Sequence, residues 1–255
     1  MSKTVAVYLQ KGGVGKTTIS GSLACQSALN GTNTLLIDCD PQGNVSSWFL
    51  TDPPKYELAD VLQGNCYVYD AVVPVPTVDN LCILPTFGIG GSLKNYSETK
   101  LSEEPFVLQD LITEVSSKFD HIILDLSPGL GRLERSALIA SDEIVTPMTP
   151  EVFSLDGLEI FIAELAKIRK NMRSSVKHNK IVINSFDGRI RQHRDIFAAA
   201  ESSGRFKVFR IPVDPLFRKS QEANKVPQEY KVRGRGLKPA TAEALKDLDY
   251  NIWHN

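Results

Sequence analysis

The chain has 255 residues, of which 42% are hydrophobic and 23% are charged, and its formal net charge is −1. This composition is that of an ordinary globular domain and excludes a disordered chain or a disulfide-dependent scaffold. No apolar run approaches the ~20 residues that a membrane-spanning helix needs, and the amino terminus lacks the apolar stretch of a signal peptide. We therefore expect a cytoplasmic protein whose four cysteines are reduced.

Short apolar runs rich in β-branched residues recur along the chain and alternate with segments of helical pattern. The predicted strands lie at residues 4–9, 35–37, 81–84, 122–124, 144–145, 181–183 and 208–211. The predicted helices span residues 17–30, 105–119, 154–172 and 190–203. Because continuous hydrophobicity is typical of buried parallel strands, the pattern predicts a doubly wound α/β fold. We expect a mostly parallel seven-stranded sheet flanked by helices, forming one domain over residues 1–255, with loops and short helices at 51–99.

A glycine-rich segment follows the first predicted strand and opens the first predicted helix. It reads Lys11-Gly12-Gly13-Val14-Gly15-Lys16-Thr17-Thr18. Its glycines let backbone N–H groups turn inward around an anion, and the helix adds its positive amino-terminal end. Lys16 can neutralise charge on the β- and γ-phosphates, Thr17 can coordinate Mg²⁺, and Thr18 can contact the α-phosphate. The segment is predicted to bind a nucleotide, although Gln10 replaces the leading glycine of the usual loop pattern.

Two further segments place acidic residues directly after apolar strands. The first reads Asp38-Cys39-Asp40-Pro41-Gln42-Gly43-Asn44, and the second reads Asp125-Leu126-Ser127-Pro128-Gly129. Together with the glycine-rich loop, these segments and their order resemble the ParA/MinD family of deviant Walker ATPases, and most closely its small ParA-type partition members. The resemblance implies a P-loop NTPase fold, ATP and Mg²⁺ as ligands, and ATP hydrolysis.

The resemblance also implies roles for single residues around the phosphates. Lys11 would reach across an ATP-bound sandwich homodimer to the other subunit's nucleotide, the alternative being a surface lysine. Asp40 would position the attacking water, and Asp38 would help to organise the metal and the switch segment, unless it is a cap or turn residue. Asp125 would hold Mg²⁺ through water. Ser127 stands where many relatives have a proline, which predicts a freer loop.

Adenine contacts are implied at the far end of the predicted sheet. Asn184 follows a late strand, and Pro212 and Asp214 follow the last one. These positions match the family's adenine-contacting segments. Asn184 is equally explained as a cap at the end of its strand.

Basic residues are concentrated in one part of the chain. Residues 165–238 hold 19 Lys and Arg against 6 Asp and Glu, a net charge of +13, so the remainder carries −14. This asymmetry predicts a face for a polyanion, unless the charges are scattered over solvated helix faces. The family resemblance implies ATP-dependent, non-specific binding to double-stranded DNA, with Arg189 and Arg218 ranked first and Arg191 and Lys219 beside them. It also implies a ParB-like activator and a cytoplasmic, nucleoid-associated location.

Three other functions are compatible with the same ATPase motifs. A MinD-like membrane-positioning ATPase would need a basic amphipathic carboxyl-terminal helix, whereas residues 242–255 are acidic, so no membrane partner is expected. An iron–sulfur reductase would need paired cluster cysteines, and none of the four is suitably placed. Positioning of a protein cargo by the same engine is not separable from DNA segregation by sequence.

Overall fold

The computed structural model describes residues 2–99 and 105–254, apart from the side chains of residues 152–156. The strands are β1 Lys3–Val7, β2 Thr34–Cys39, β3 Val73–Pro74, β4 Leu81–Leu84, β5 His121–Leu126, β6 Glu143–Met148, β7 Lys177–Phe186 and β8 Lys207–Pro212. The helices are α1 Lys16–Leu29, α2 Asn44–Phe49, α3 Leu58–Leu62, α4 Val68–Ala71, α5 Leu93–Thr99, α6 Val107–Val115, α7 Arg132–Ala140, α8 Val152–Met172, α9 Arg191–Ser202, α10 Pro215–Glu222 and α11 Pro239–Trp253. Among these helices none is both long and apolar enough to cross a membrane.

All the strands pair into one sheet in the order β3-β4-β2-β5-β1-β6-β7-β8. Every neighbouring pair is parallel except β3 and β4, which are antiparallel. The doubly wound, mostly parallel α/β fold is therefore confirmed. The predicted number of seven strands is wrong, because β3 adds an eighth at the edge. Its two residues, Val73 and Pro74, lie in a proline-containing segment, and proline is tolerated at a sheet edge where its missing N–H is not needed.

The four helices predicted from periodicity are present, with ends that differ by a few residues. Helix α7, which spans nine residues, was not predicted. Helix α10 begins at Pro215, so Arg218 and Lys219 lie in its middle. Proline suits the first helical position, where the N–H would be unpaired in any case.

Alternate residues of the central strand β1 supply the two layers of the core. Val5 and Val7 pack on one face of the sheet, in an apolar cluster with residues of α1, α2, α10 and α11. Ala6 packs on the other face, against residues of α6, α7, α8 and α9. Parallel pairing sets Asp125 of β5 beside Val7 of β1 and Asp38 of β2. The carboxyl ends of β1, β2 and β5 therefore meet at one edge, the usual ligand position in an open α/β sheet.

Candidate nucleotide-binding site

The loop between β1 and α1 has a backbone that requires glycine at two positions. Gly13 and Gly15 have φ angles of +73° and +92°, in the left-handed region that favours glycine. A Cβ atom on Gly15 would also lie only 2.1 Å from Nδ2 of Asn184. At Gly12, by contrast, a Cβ would meet nothing within 4 Å. A residue other than glycine would therefore strain the loop backbone at Gly13 and Gly15.

Lys16 begins α1, and its side chain is directed back into the loop. Only 7% of the residue is exposed, and Nζ donates a 2.8 Å hydrogen bond to the Lys11 carbonyl oxygen. Burial lowers the pKa of Lys16, while the carboxylates of Asp125, Asp40 and Glu134 act to raise it. The charges of three acidic side chains therefore favour the ammonium form of Lys16 against the effect of burial.

Asp125 is completely buried at the end of β5. Its Oδ1 accepts a 2.7 Å hydrogen bond from Ser20 Oγ of α1, while Oδ2 has no hydrogen-bond partner among the described residues. Burial raises the pKa of Asp125, and the hydroxyls of Ser20 and Thr17 oppose that rise. A buried carboxylate oxygen without a partner is unfavourable by itself, and it fits a site for a hard cation such as Mg²⁺.

Asp38 lies opposite Asp125 on the neighbouring strand and is equally buried. Its Oδ1 accepts a hydrogen bond from the Asp40 N–H (3.1 Å), and its Oδ2 accepts from Ser46 N (2.9 Å) and Ser46 Oγ (2.6 Å). Burial and the charge of Asp125 raise the pKa of Asp38. Asp38 thus holds the turn that carries Asp40 and the start of α2, and its role towards a metal stays a prediction.

Asp40 borders a cavity of about 510 Å³. Its Oδ1 accepts a 2.9 Å hydrogen bond from the Gln42 N–H, which fixes the carboxylate at the rim. The opposite wall includes Ser127, Gly129 and Glu134, from the segment after β5. Asp40 is therefore placed beside the loop after the Asp125 strand, in a space open to water and a substrate.

Glu134 is a site residue that the sequence analysis missed. Its Oε1 accepts a 2.5 Å hydrogen bond from Ser127 Oγ, and its Oε2 accepts from the Gly131 N–H at 2.8 Å. It is buried at the third position of α7 and acts electrostatically on Lys16. Glu134 bonds the N-cap N–H as the glutamate of a capping box does, but the N-cap is Gly131, which has no side chain, so the sequence carries no capping-box signal for it.

Lys11, at the start of the loop, forms an ion pair within its own chain. Its Nζ lies 3.3 Å from Oε2 of Glu151, the residue that precedes α8. The lysine side chain is about one quarter exposed, and the glutamate is more exposed still. A surface ion pair of this kind contributes little stability, so it can exchange for another anion at small cost.

The residues predicted to contact adenine lie at the carboxyl ends of β7 and β8. Asn184 Nδ2 donates to the Val14 carbonyl oxygen (3.1 Å), which attaches β7 to the glycine-rich loop. Pro212 ends β8, and Asp214 caps α10 by accepting from the Leu216 N–H (3.1 Å). The other oxygen of Asp214 accepts from the Lys238 N–H (2.9 Å). Both polar side chains are bonded to protein atoms, and their adenine contacts stay predictions.

The residues predicted to bind DNA follow the same two strands. A 3.0 Å bond from the Val213 N–H to the Phe186 carbonyl oxygen joins the segments that carry them. Their side chains are exposed, and three of them pair with a nearby carboxylate. The pairs are Arg189 with Asp187 (2.6 Å), Arg191 with Asp195 (3.5 Å) and Arg218 with Glu222 (2.8 Å), while Lys219 is exposed beside Arg218 on α10.

Two features define a P-loop nucleotide-binding fold of the Walker type. The first is the glycine-rich loop after β1 with its buried lysine, and the second is the pair of carboxylates, Asp38 and Asp125, near the carboxyl ends of β2 and β5. Comparisons with known proteins agree with this class. A family model described as an AAA domain matches residues 2–178. The sporulation initiation inhibitor protein Soj of Bacillus subtilis is 31% identical, and the match covers 100% of both chains.

Solved structures are similar over almost the whole chain. A plasmid partition protein from Borrelia burgdorferi is 26% identical with a TM-score of 0.71, covering 88% of this chain and 96% of that one. The ATP complex of McdA from Cyanothece has a TM-score of 0.84 at 18% identity, covering 98% and 96%. This chain belongs to the ParA/MinD family of partition ATPases.

Proposed function

We propose that this protein is a Mg²⁺-dependent ATPase that segregates DNA. The observation that carries the proposal is the arrangement around one glycine-rich loop of Lys16, Asp40 and Asp125, whose Oδ2 has no hydrogen-bond partner within residues 2–99 and 105–254. Phosphoryl transfer needs positioned cations and a positioned water more than it needs covalent chemistry. The cluster supplies groups for both needs.

The loop N–H groups and the end of α1 would bind the phosphates of ATP. Lys16 would exchange the Lys11 carbonyl for the β- and γ-phosphates, and Asp40 would orient the attacking water. Thr17 and Asp125 would hold Mg²⁺, with Asp38 fixing the surrounding turn. Bound Mg²⁺ would neutralise phosphate charge.

The proposed active form is an ATP-bound sandwich homodimer. Lys11 would leave Glu151 and bind the triphosphate of the partner subunit, supplying a cation in trans as an arginine finger does. ATP would therefore control the oligomeric state.

DNA binding would follow from dimerisation. The basic surface formed by Arg189, Arg191, Arg218 and Lys219 would contact DNA phosphates without reading bases. Because a dimer carries two copies of this basic surface, their contributions to the affinity would add. Hydrolysis, stimulated by a ParB-like partner, would release the DNA and return the protein from the nucleoid to the cytoplasm. The apolar residues Leu245, Leu248 and Ile252 of α11 are buried in the core on the α1 side, which favours DNA over a membrane as the track.

The test combines hydrolysis, dimerisation and DNA retention. With ATP and Mg²⁺, we expect slow hydrolysis, a dimer by light scattering, and salt-sensitive retention on DNA of arbitrary sequence. Asp40→Asn keeps the oxygen that accepts from Gln42, so it is expected to dimerise and bind DNA while hydrolysis falls by about 10²-fold or more. A wild-type protein that binds ATP and Mg²⁺ but stays monomeric and off DNA would contradict the proposal.

A further inference from the structure

Helix α10 is attached to α1 and α2 by side-chain hydrogen bonds. The bonded residues lie at the end of α10 and in the segment that follows, away from the exposed arginine and lysine. The bonds are Gln221 Nε2 to Thr18 Oγ1 (3.1 Å), Asn224 Nδ2 to Ser47 O (3.0 Å), Trp48 Nε1 to Lys225 O (2.9 Å) and Gln228 Nε2 to Ser22 O (2.7 Å). Of these four, the bond from Gln221 is the one that reaches the glycine-rich loop segment.

The bond between Gln221 and Thr18 restricts what the hydroxyl of Thr18 can do. A threonine hydroxyl has one proton to donate and two lone pairs that can accept. Since Nε2 of Gln221 donates to Oγ1, one lone pair is used and the proton of Thr18 is free to point away from α10. Chains of hydrogen bonds also strengthen one another, so a hydroxyl that accepts from an amide is a better donor.

The Thr18 hydroxyl is within reach of a small ligand group. Thr18 is half-buried, and it lines a cavity of about 380 Å³ together with Thr17 and Gln221. The cavity walls are otherwise formed by polar residues and Trp48 of α2 and the turn beyond α10. Gln221 therefore bonds Thr18 from the side of α10, and the cavity leaves space beside Thr17 and Thr18.

We infer that Gln221 is a positioning residue for nucleotide binding, which acts by aiming the Thr18 hydroxyl at the α-phosphate. The inference rests on the proposed function, because it requires ATP to bind in the glycine-rich loop, where the sequence predicts that Thr18 contacts the α-phosphate. The α-phosphate is common to ADP and ATP, so Gln221 supports both nucleotides to the same extent. Lys16, whose predicted contacts are the β- and γ-phosphates, differs from Gln221 in this respect.

The test is a double-mutant cycle read out by the Kd values of ADP and ATP with Mg²⁺. Gln221→Met keeps the length of the side chain and removes its donor. We expect it to weaken both nucleotides by about threefold to tenfold, the range of one net hydrogen bond. In a Thr18→Val background the same change is expected to alter either Kd by less than about twofold, because the hydroxyl is already absent.

Two further variants separate positioning from stability. Gln221→Glu can only accept, so it would turn the Thr18 proton towards α10 and weaken binding more than Gln221→Met does. Gln228→Met is the matched control, since it removes a similar bond to α1 at Ser22 and should leave both Kd values unchanged. Melting temperatures without nucleotide report any loss of folding.

Wild-type protein that fails to bind either nucleotide would overturn the proposed function itself. If the wild type binds and Gln221→Met changes neither Kd, or changes them equally with and without the Thr18 hydroxyl, only the role of Gln221 is overturned. An effect confined to ATP would overturn it as well, because the α-phosphate is present in both ligands.

Discussion

Ser20 and Asp125 join helix α1 to β5, the strand that pairs with β1, through a 2.7 Å hydrogen bond from Ser20 Oγ to Asp125 Oδ1. The second oxygen of Asp125 has no partner among the described residues, and the buried Asp38 lies opposite on β2. Two buried carboxylates at this spacing repel each other unless a cation or a proton intervenes. We therefore expect the negative charge of Asp125 to destabilise the fold without metal and to be needed for binding Mg²⁺.

The first prediction follows from that opposition. Asp125→Asn keeps an oxygen for Ser20 and removes the charge, so the free energy of unfolding without Mg²⁺ should rise by an amount on the order of 1 kcal/mol. The same variant should lose the stabilisation that Mg²⁺ and ATP give the wild type, since it lacks the metal-binding carboxylate. Thermal melting in EDTA, and then with Mg²⁺ and ATP, measures both effects. A variant that melts lower in EDTA and is still stabilised by Mg²⁺ and ATP would contradict the prediction.

The amino-terminal edge of the sheet holds a buried ion cluster far from the nucleotide residues. Glu143 of β6 pairs with Lys180 of β7 and with Lys3 of β1, the latter at 2.9 Å, and both Glu143 and Lys180 are nearly inaccessible. Glu143→Gln leaves the buried ammonium of Lys180 without its counter-charge. We expect a loss of about 3–5 kcal/mol in the free energy of unfolding, measured in urea.

Lys3→Met is the matched control for Glu143→Gln. Lys3 is about one quarter exposed, so its loss should cost less than the loss of Glu143. Kd values for ATP should stay within about twofold of the wild type in both variants, because the cluster lies at the opposite end of the strands. Equal destabilisation by the two substitutions would show that burial of Lys180 is not the cause.

Arg189 is held by a carboxylate two residues before it. Its Nε and Nη2 atoms donate to the two oxygens of Asp187 at 2.9 Å and 2.6 Å, and this pairing holds the pKa of Asp187 far below its usual range. Phosphate must compete with Asp187 for the guanidinium. Arg189→Ala should therefore weaken DNA retention and lower the salt dependence by about one phosphate contact per chain.

Asp187→Asn is expected to have the opposite effect on DNA. Removing the carboxylate frees Arg189 and adds one unit of net positive charge to the basic surface, so retention should persist to higher salt. Filter retention across a salt series compares the two variants with the wild type. Weaker binding by Asp187→Asn would mean that the pair is needed to orient Arg189.

The strand, loop and helix around Lys16 could be predicted because the information is local: an apolar run, glycines and a helix start lie within a few residues. The hydrogen bonds that join this loop and its neighbours to distant parts of the chain could not be predicted. Gln221 and Thr18 are 203 positions apart, and Ser46 and the Thr86 N–H that donates to its hydroxyl are 40 apart. Only the order of strands in the sheet brings such pairs together, and no periodic pattern encodes a single hydrogen bond. Strand β3 was missed for a related reason, since two residues carry no period.

The imidazole of His178 is expected to make the free energy of unfolding depend on pH. It lies among Phe161, Phe206 and Thr146, whose hydroxyl is 2.8 Å from Nε2. Burial lowers the pKa of His178 from 6.5 to about 4, and the nearby Arg169 and Arg205 act in the same direction. The unfolded chain takes up a proton below pH 6.5, whereas the folded chain does so only near pH 4. The stability contributed by neutral His178 is therefore complete above pH 6.5 and is lost as the pH falls towards 4.

The matched variant for this pH dependence is His178→Gln, which can still bond the Thr146 hydroxyl but does not titrate. Its melting temperature should fall less than that of the wild type between pH 7 and pH 5, the range in which the unfolded chain gains its proton. His121 has a pKa that burial also lowers to about 4, but it is present in both proteins, so its contribution cancels in the comparison. Parallel melting curves for the two proteins across this pH range would show that His178 takes up its proton equally in the folded and unfolded chains.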